Sequence, residues 1–323
     1  MKMTAPPQTP QNKTFLYVLL GFFAFFIFSF IFVVIFIQHI VGKSTGSSFL
    51  PSSDEITLVE VDGPIYQSDD LVRRIKKFKN SSKKAMIIRL NSPGGAVAPS
   101  QEIYSEILSA RQNKKIVVAS MSSLAASGAY YIAAACDKIV ANPGTLTGSI
   151  GVIAEFPDAS GLLKKVGVNF QTVKSGKFKD TGAFSRPMNP EERAYLQETI
   201  MDVFQQFLGS VLDGRKAAFQ DRLAKLWKKK PEQVTDQEIR NFVTPYADGR
   251  VLTGKKAFEL GFVDQLGNYY DAVKLTADLA GIKGEPVVKT DQAVKFDQLL
   301  NGILPFSFLS RANSGFQLEY RAF

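Results

Sequence analysis

Two glycine- and serine-rich loops hold the residues best suited to acyl transfer. Residues 91–97 follow a short apolar stretch, and the paired glycines let backbone N–H groups face a ligand without a Cβ in the way. Residues 122–131 follow a second apolar stretch and open a small-residue helix, with Ser127 at the corner. A serine hydroxyl at a helix N-terminus lies where free N–H groups favour developing negative charge. Ser127 is thus a candidate nucleophile, with Gly128 and Gly95 as candidate oxyanion donors, although a helix N-cap serine shows the same pattern.

No imidazole is available to activate such a serine. The single histidine, His39, lies at the edge of a long apolar run, so the folded part cannot contain a Ser-His-Asp triad, a Cys-His dyad or a multi-histidine metal site. The single cysteine, Cys136, excludes an intramolecular disulfide, a Cys-ligated zinc and an iron–sulfur cluster. If the chain is a hydrolase, its general base is another type of side chain.

Lysine is the remaining side chain with precedent as the base of a serine nucleophile. Lys174, Lys177 and Lys179 share one loop, and the pattern alone does not rank them. At the ordinary pKa of about 10.4 a lysine is protonated at neutral pH, and desolvation has to lower that pKa by roughly 3 units. A second loop, residues 142–151, is rich in hydroxyls and glycine and includes Ser149.

Strands alternate with helices through the middle of the chain. This alternation predicts βαβ units, a mostly parallel sheet and right-handed crossovers, followed by a helical part and a second, shorter α/β stretch at 251–281. We predict strands at 56–62, 85–90, 116–120, 138–141 and 170–173, and helices at 99–110, 128–135 and 191–227.

An N-terminal membrane anchor is predicted from 23 consecutive uncharged residues, 15–37. About 20 apolar residues span a bilayer core, and the run is too long for the apolar core of a cleaved signal peptide. Lys2 and Lys13 against Lys43 mildly favour a cytoplasmic N-terminus. The predicted organisation is a cytoplasmic N-terminus at 1–14, the anchor at 15–37, a linker at 38–54, the main domain at 55–290 and a tail at 291–323.

The net charge of +9 does not predict a nucleic-acid partner. The excess is modest for 323 residues, and the densest basic run, residues 225–230, lacks any glycine-rich or RNA-binding pattern. A solvated helix face explains the run best.

Five motifs in register resemble the signal peptide peptidase A (SppA) family of membrane-anchored Ser-Lys peptidases. The similarity covers roughly residues 56–275. The motifs are N-S-P-G-G, A-A-S-G-x-Y-Y, D-K-I-V-A-N-P-G-T-L-T-G-S-I-G-V-I, S-G-x-F-K-D…R-P-M, and G-R-V-L-T-G-K-K-A-F-E-L-G-F-V-D-Q-L-G. Because the motifs occur once, the chain resembles the short, single-repeat members. It departs from the usual pattern at Ala129, where glycine is common.

The resemblance implies a role for each of five residues. Ser127 corresponds to the nucleophile, Lys179 to the general base and Ser149 to the hydroxyl that orients the lysine. Gly95 corresponds to an oxyanion donor, with Gly128 as its companion. The implied fold is α/β and similar to the Clp-protease/crotonase superfamily, with repeated βαβ units, an N-terminal transmembrane helix and helical embellishment. No cofactor and no metal are implied.

The resemblance also implies a setting. It predicts an endopeptidase that degrades remnant signal peptides or other hydrophobic peptides. The enzyme would be a single-pass protein of the bacterial cytoplasmic membrane, with an extracytoplasmic catalytic domain. It would assemble as a ring-shaped homo-oligomer in which serine and lysine meet across neighbouring subunits.

Three alternatives remain open on sequence. One is a related Ser-Lys peptidase that cuts stomatin-like membrane proteins. Another is a non-catalytic membrane scaffold. The third is a crotonase-like acyl-CoA enzyme, for which Glu155 is the only acid near the relevant loops.

Overall fold

The computed structural model describes residues 25–32, 54–291 and, for the backbone alone, 319–321. The chain divides into two compact units, Met1–Pro51 and Ser52–Phe323. In the first unit, residues 25–32 are helical and exposed. Among the residues described, no helix combines the length and apolarity needed to cross a membrane. Most of the predicted anchor at 15–37 lies outside the described residues, so the anchor stays a prediction.

A mostly parallel sheet forms the centre of the second unit. Its strands are β1 (Glu55–Asp62), β2 (Ala85–Ser92), β4 (Ile116–Ala126), β5 (Lys138–Ala141), β6 (Leu146–Gly148), β7 (Val251–Thr253), β8 (Gln265–Leu266) and β9 (Val287–Thr290). They run in the order β7-β6-β4-β2-β1-β9, and β5 and β8 continue from β4. Among the described pairs of this sheet, only β6–β7 is antiparallel.

Helices connect the strands and cover both faces of the sheet. They are α1 (Asp69–Lys79), α2 (Val97–Gln112), α3 (Gly128–Ala134), α4 (Ser160–Lys165), α5 (Pro190–Gly214), α6 (Lys216–Trp227), α7 (Asp236–Val243), α8 (Gly254–Leu260) and α9 (Tyr269–Ala280). The mixed α/β fold with a mostly parallel sheet confirms the coarse prediction. The closer similarity to the Clp-protease/crotonase superfamily stays a prediction.

Alternate residues of β2 explain why its sequence is apolar without interruption. Met86 and Ile88 join the large core beneath α1, α2 and α3, whereas Ala85 and Ile87 join a smaller cluster with Val273 of α9. A parallel strand covered on both faces needs apolar side chains at every position.

Strand β4 is longer than the predicted strand at 116–120, because it has two successive partners on the same side. Residues 118–121 pair with β5, and residues 124–126 pair with β6. Residues 122–126, predicted as part of a serine-rich loop, therefore belong to a strand. This extension carries the chain to the corner at Ser127.

Two further predictions are wrong. Residues 170–173 form no strand; they are exposed, and no described strand pairs with them. The predicted single helix at 191–227 is two helices, broken at Arg215. The helix ends where Gly214 packs against Ala134, since a Cβ on Gly214 would lie 2.2 Å from the Ala134 carbonyl oxygen. Arg215 turns inward and pairs with Asp264.

Candidate active site

Ser127 occupies a strained corner between β4 and α3. Its φ of 56° and ψ of −119° are rare for a residue with a side chain, and such strain concentrates at functional sites. The residue is fully buried, and its Oγ has no hydrogen-bond partner among the residues that the structure describes. The side chain does not cap α3, so the N-cap alternative has no support in the contacts. An unpaired buried hydroxyl lowers the free energy of unfolding by about 1–3 kcal/mol, so a purely structural role for Ser127 would not explain it.

Ser149 lies beside this corner because the sheet register brings it there. Ala126 pairs with Gly148, and the Ser127 N–H donates to the Gly148 carbonyl at 2.8 Å. Ser149 is the next residue; it is buried and also has a positive φ, 50°. Its own N–H donates to the Arg250 carbonyl at 2.8 Å. Both serines therefore stand on backbone that the sheet holds in place.

Gly95 belongs to a short strand, β3 (Gly94–Ala96), against which α3 packs. The Ile65 N–H donates to the Gly94 carbonyl at 2.8 Å, and the Ala96 N–H donates to the Ile65 carbonyl at 2.7 Å. Because the backbone groups of successive strand residues point to opposite sides, the N–H of Gly95 points away from Ile65. Only glycine fits here: a Cβ would lie 2.1 Å from the Ile65 carbonyl oxygen.

The free side of β3 accepts a strand. Residues of the C-terminal strand β10 (Glu319–Arg321) pair with it in the antiparallel direction, with Tyr320 opposite Gly95. The same strand contacts α3, whose first residue is Gly128. An extended segment on this edge therefore lies along the backbone of Gly95 and close to the helix that follows Ser127.

The contacts of the three candidate lysines differ. Lys174 donates to the Lys177 carbonyl at 3.0 Å and pairs with Asp180, and Lys177 pairs with Glu191. Lys179 is exposed, and its amine has no hydrogen bond or ion pair with any described residue. Of the three lysines, Lys179 is the one whose amine is not already engaged.

Within one described chain, no hydrogen bond joins Ser127 to Lys179, since Ser127 Oγ is without a partner. The serine is buried and the lysine is exposed. The fold thus brings Ser127, Ser149, Gly95 and Gly128 to one corner and leaves Lys179 on a separate exposed loop. No group of three or more His, Cys, Asp or Glu side chains in the described part of the chain is arranged to hold a metal ion.

Comparison with known proteins decides the family. The model of peptidase family S49 matches residues 109–231 and 216–283. A Synechocystis protein described as a protease is 39% identical over 72% of this chain and 77% of its own length. The chain belongs to peptidase family S49. This confirms the resemblance to the SppA family and identifies the protein as a serine peptidase.

Two longer relatives of this S49 peptidase are also similar. Protease 4 of Haemophilus influenzae is 31% identical over 82% of this chain, and the chloroplastic serine protease SPPA of Arabidopsis thaliana is 35% identical over 67%. The chain matches 41% and 29% of their lengths, respectively. Among solved structures, a substrate-peptide complex of a membrane-bound stomatin-specific protease has 18% identity, covers 77% of this chain and 97% of its own, and has a TM-score of 0.43, too low for a fold inference.

Sequence reasoning missed a charged cluster in this S49 peptidase. Arg186 joins Asp180 to Glu192, and the Glu192 side chain is almost completely buried. The R-P-M motif contained the arginine, but nothing in the sequence showed which acids it would meet. Burial of Glu192, which requires the carboxylate to be paired, is visible only in the structure.

Proposed function

We propose that this chain is a membrane-bound endopeptidase that cuts hydrophobic peptides, remnant signal peptides among them, with Ser127 as nucleophile and Lys179 as general base. The observation that carries the proposal is the buried, unpaired hydroxyl of Ser127 on a strained corner, in a chain without a usable imidazole. Further support comes from the unengaged amine of Lys179.

The proposed mechanism is acyl transfer through an ester on Ser127. The neutral amine of Lys179 takes the hydroxyl proton, and the Ser127 oxygen attacks the peptide carbonyl carbon. The N–H groups of Gly95 and Gly128 donate to the oxyanion of the tetrahedral intermediate. The Lys179 ammonium then protonates the leaving amine as the C–N bond breaks, and a water molecule hydrolyses the ester by the same route. Ser149 orients the Lys179 amine.

Substrate would bind as an extended strand on the free edge of β3. The pairing of Glu319–Arg321 with Gly94–Ala96 supports this mode, because it demonstrates that the edge accepts an antiparallel segment. Backbone hydrogen bonds of this kind bind peptides with little dependence on their side chains. A peptide placed there runs past the N–H of Gly95, one of the two proposed oxyanion donors.

A second copy of the chain would complete the site. Lys179 lies on an exposed segment, and the residues before it carry apolar side chains that face solvent in the isolated chain. Their relative exposures are 63% for Leu162, 62% for Val166, 55% for Phe170 and 100% for Val173. Such a surface is typical of association sites. In a closed ring of identical subunits, each Lys179 would meet the Ser127 of its neighbour, and entry into that buried site would supply the desolvation that a basic lysine needs.

The proposed location is the bacterial cytoplasmic membrane. Residues 15–37 would anchor the chain, with the N-terminus in the cytoplasm and the peptidase domain outside. Peptides left in the membrane after signal-peptide cleavage would then lie near the catalytic domain.

Subunit mixing tests the dyad and its placement together. The variants Ser127→Ala and Lys179→Ala are each expected to lose peptidase activity against a hydrophobic signal-peptide substrate, whereas Ser123→Ala and Lys177→Ala keep it. Co-expression of the two inactive variants should restore activity, because random mixing leaves about a quarter of the sites with both groups. Full activity of either single variant would contradict the dyad, and no recovery on mixing would contradict its placement between subunits.

The substrate class is tested separately. Fluorophosphonate labelling of one sample of the wild-type protein counts its reactive Ser127, and a second, unlabelled sample is offered a signal peptide and a soluble fragment of a membrane protein of matched length. Preferential cleavage of the signal peptide supports the proposal, and preference for the fragment favours the alternative peptidase. A protein that neither reacts with the probe nor cuts either substrate would be the non-catalytic scaffold.

A further inference from the structure

The segment that carries Lys179 contains neither helix nor strand, and contacts with helix α5 hold it. The ring of Phe178 stacks on Tyr195 of α5, with ring centroids 5.0 Å apart and an interplanar angle of 26°. Lys177 pairs with Glu191 in the first turn of the same helix. Asp180, the residue after Lys179, forms an ion pair with Arg186. Lys179 is thus exposed between anchored neighbours.

Arg186 makes several hydrogen bonds that hold this segment. Its Nε donates to Asp180 Oδ2 at 2.9 Å, and its Nη2 donates to the Asp180 carbonyl at 3.2 Å. Its other edge meets Glu192, with Nη1 to Oε2 at 2.9 Å and Nη2 to Oε1 at 2.5 Å. Planar guanidinium groups bind carboxylates in this two-pronged way, which restricts direction as well as distance. One arginine therefore joins the Lys179 loop to α5 through four hydrogen bonds.

Arg186, Asp180 and Glu192 form a clamp, and Glu192 connects this clamp to the core. Its side chain is 1% exposed and also accepts from the Asn189 N–H at 3.0 Å, while the Glu192 N–H donates to Asn189 Oδ1 at 2.8 Å. This capping box begins a 25-residue helix whose Phe207 and Val211 are fully buried. Glu192 therefore fixes the loop that carries Lys179 to a helix that is packed in the core.

The clamp also engages the carboxylate next to Lys179. Arg186 and Lys174 bind Asp180 and hold the pKa of that carboxyl well below its usual range. A free carboxylate within a few ångströms of a lysine stabilises the ammonium form and raises the pKa of the lysine by about 1–3 units, which opposes its use as a base. Charged residues on the described elements around the loop are Lys174, Lys177, Asp180 and Arg186 of the loop, Glu191, Glu192 and Arg193 of α5, and Glu155 and Asp158 of the segment before α4.

We propose that Arg186 is a positioning residue for Lys179: it holds the lysine loop on α5 and keeps the Asp180 carboxylate away from the lysine amine. This inference rests on the proposed function, in which Lys179 is the general base. It assigns Arg186 no contact with substrate, so the effect should appear in kcat and in the pH profile more than in KM.

Two substitutions of the full-length protein should move the acidic limb of kcat/KM in opposite directions. Arg186→Gln releases the Asp180 carboxylate, so the acidic limb is expected to move to higher pH by about one unit. Because the lysine loop is then less firmly held, kcat is expected to fall about tenfold. Asp180→Asn removes the negative charge next to Lys179 while Arg186 keeps its bonds to Glu192, so the acidic limb is expected to move to lower pH. Arg193→Gln is the matched control, because Arg193 is an exposed arginine in the same turn of α5. Arg193→Gln should leave kcat and the pH of the acidic limb unchanged.

The outcomes separate this inference from the proposed function. If Lys179→Ala abolishes activity but neither Arg186→Gln nor Asp180→Asn shifts the pH profile, the positioning role is wrong and the dyad stands. If Lys179→Ala keeps its activity, the dyad is wrong. Shifts of the same sign in the two variants indicate general damage and overturn the inference. If Arg186→Gln does not fold, the direction of the Asp180→Asn shift decides.

Discussion

The backbone N–H of Ser127 donates to the carbonyl of Gly148 at 2.8 Å, and this bond holds the corner of Ser127 beside Ser149. The distance between the two serine-bearing loops does not depend on the conformation of either loop, because the parallel pairing of β4 with β6 sets it. Two serines that are 22 residues apart in the chain thus become neighbours on rigid backbone.

This relationship predicts the effect of Ser149→Ala. If Ser149 orients the neutral Lys179 amine as proposed, loss of its hydroxyl should lower kcat by up to about tenfold, since a hydrogen bond between neutral groups is worth about 0.5–1.5 kcal/mol. Steady-state kinetics on a peptide substrate measure the effect. The control is Ser123→Ala, because Ser123 is an exposed serine of β4. This variant should have wild-type kcat, and an equal loss in both variants would mean that Ser149 has no special role.

Gly95→Ala should displace the backbone N–H that we propose as an oxyanion donor. A Cβ at this position would lie 2.1 Å from the Ile65 carbonyl oxygen, so the backbone of β3 has to shift. Loss of one such donor typically lowers kcat by about 10² to 10³. The control is Gly144→Ala, because nothing lies within 4 Å of a Cβ there. Wild-type kcat per folded molecule in Gly95→Ala would rule out the donor role.

Residues 319–321 should compete with substrate for β3. A chain that ends at Asp291 is expected to show a lower KM for short peptides and faster fluorophosphonate labelling of Ser127. In the full-length chain, Tyr320→Pro should act in the same direction, because proline has no N–H to donate to β3. Tyr320→Phe keeps that N–H and serves as the control. Unchanged labelling rates in the shortened chain would argue that the pairing does not restrict access.

The pair Arg215–Asp264 should be important for stability. Arg215 Nη2 and Asp264 Oδ2 are 2.8 Å apart, the arginine side chain is 2% exposed, and the same carboxylate accepts the Ile139 N–H at 2.7 Å. Asp264→Asn leaves a buried cation without its partner and should lower the free energy of unfolding by about 3–5 kcal/mol. Urea titration measures this. Asp236→Asn, in the exposed pair with Lys216, should cost less than about 1 kcal/mol, and similar losses would contradict the distinction.

Acid should weaken the clamp at Glu192. The Arg186 guanidinium holds the pKa of that carboxyl at about 2. A lowered pKa stabilises the fold above the ordinary carboxyl pKa of about 4.3, and this stabilisation is lost as the pH falls towards 2. The difference in urea midpoint between wild type and Glu192→Gln should therefore be smaller at pH 3 than at pH 6. A constant difference would show that Glu192 does not titrate with the fold.

Much of the fold was predictable because its signals are local. The strands at 56–62, 85–90 and 138–141 and the helix at 128–135 follow from apolar runs and flanking glycines, and the structure has them within one or two residues. The predicted strand at 170–173 failed because an apolar run indicates burial only when another element covers it. The break at Arg215 was missed because it depends on the distant residues Ala134 and Asp264.

The sequence by itself determined the chemistry that was possible. With His39 as its one imidazole and Cys136 as its one thiol, a serine nucleophile would need a base other than histidine, and the resemblance of the motifs to the SppA family is what pointed to Ser127 and Lys179. Tertiary structure alone decided which groups lie together. Strand pairing set Ser149 beside Ser127, the Ile65 backbone left space for nothing larger than glycine at Gly95, and folding of α5 brought Glu192 to Arg186. Composition limits the reactive groups, whereas distances between residues far apart in the chain depend on packing and hydrogen bonds that no local pattern records.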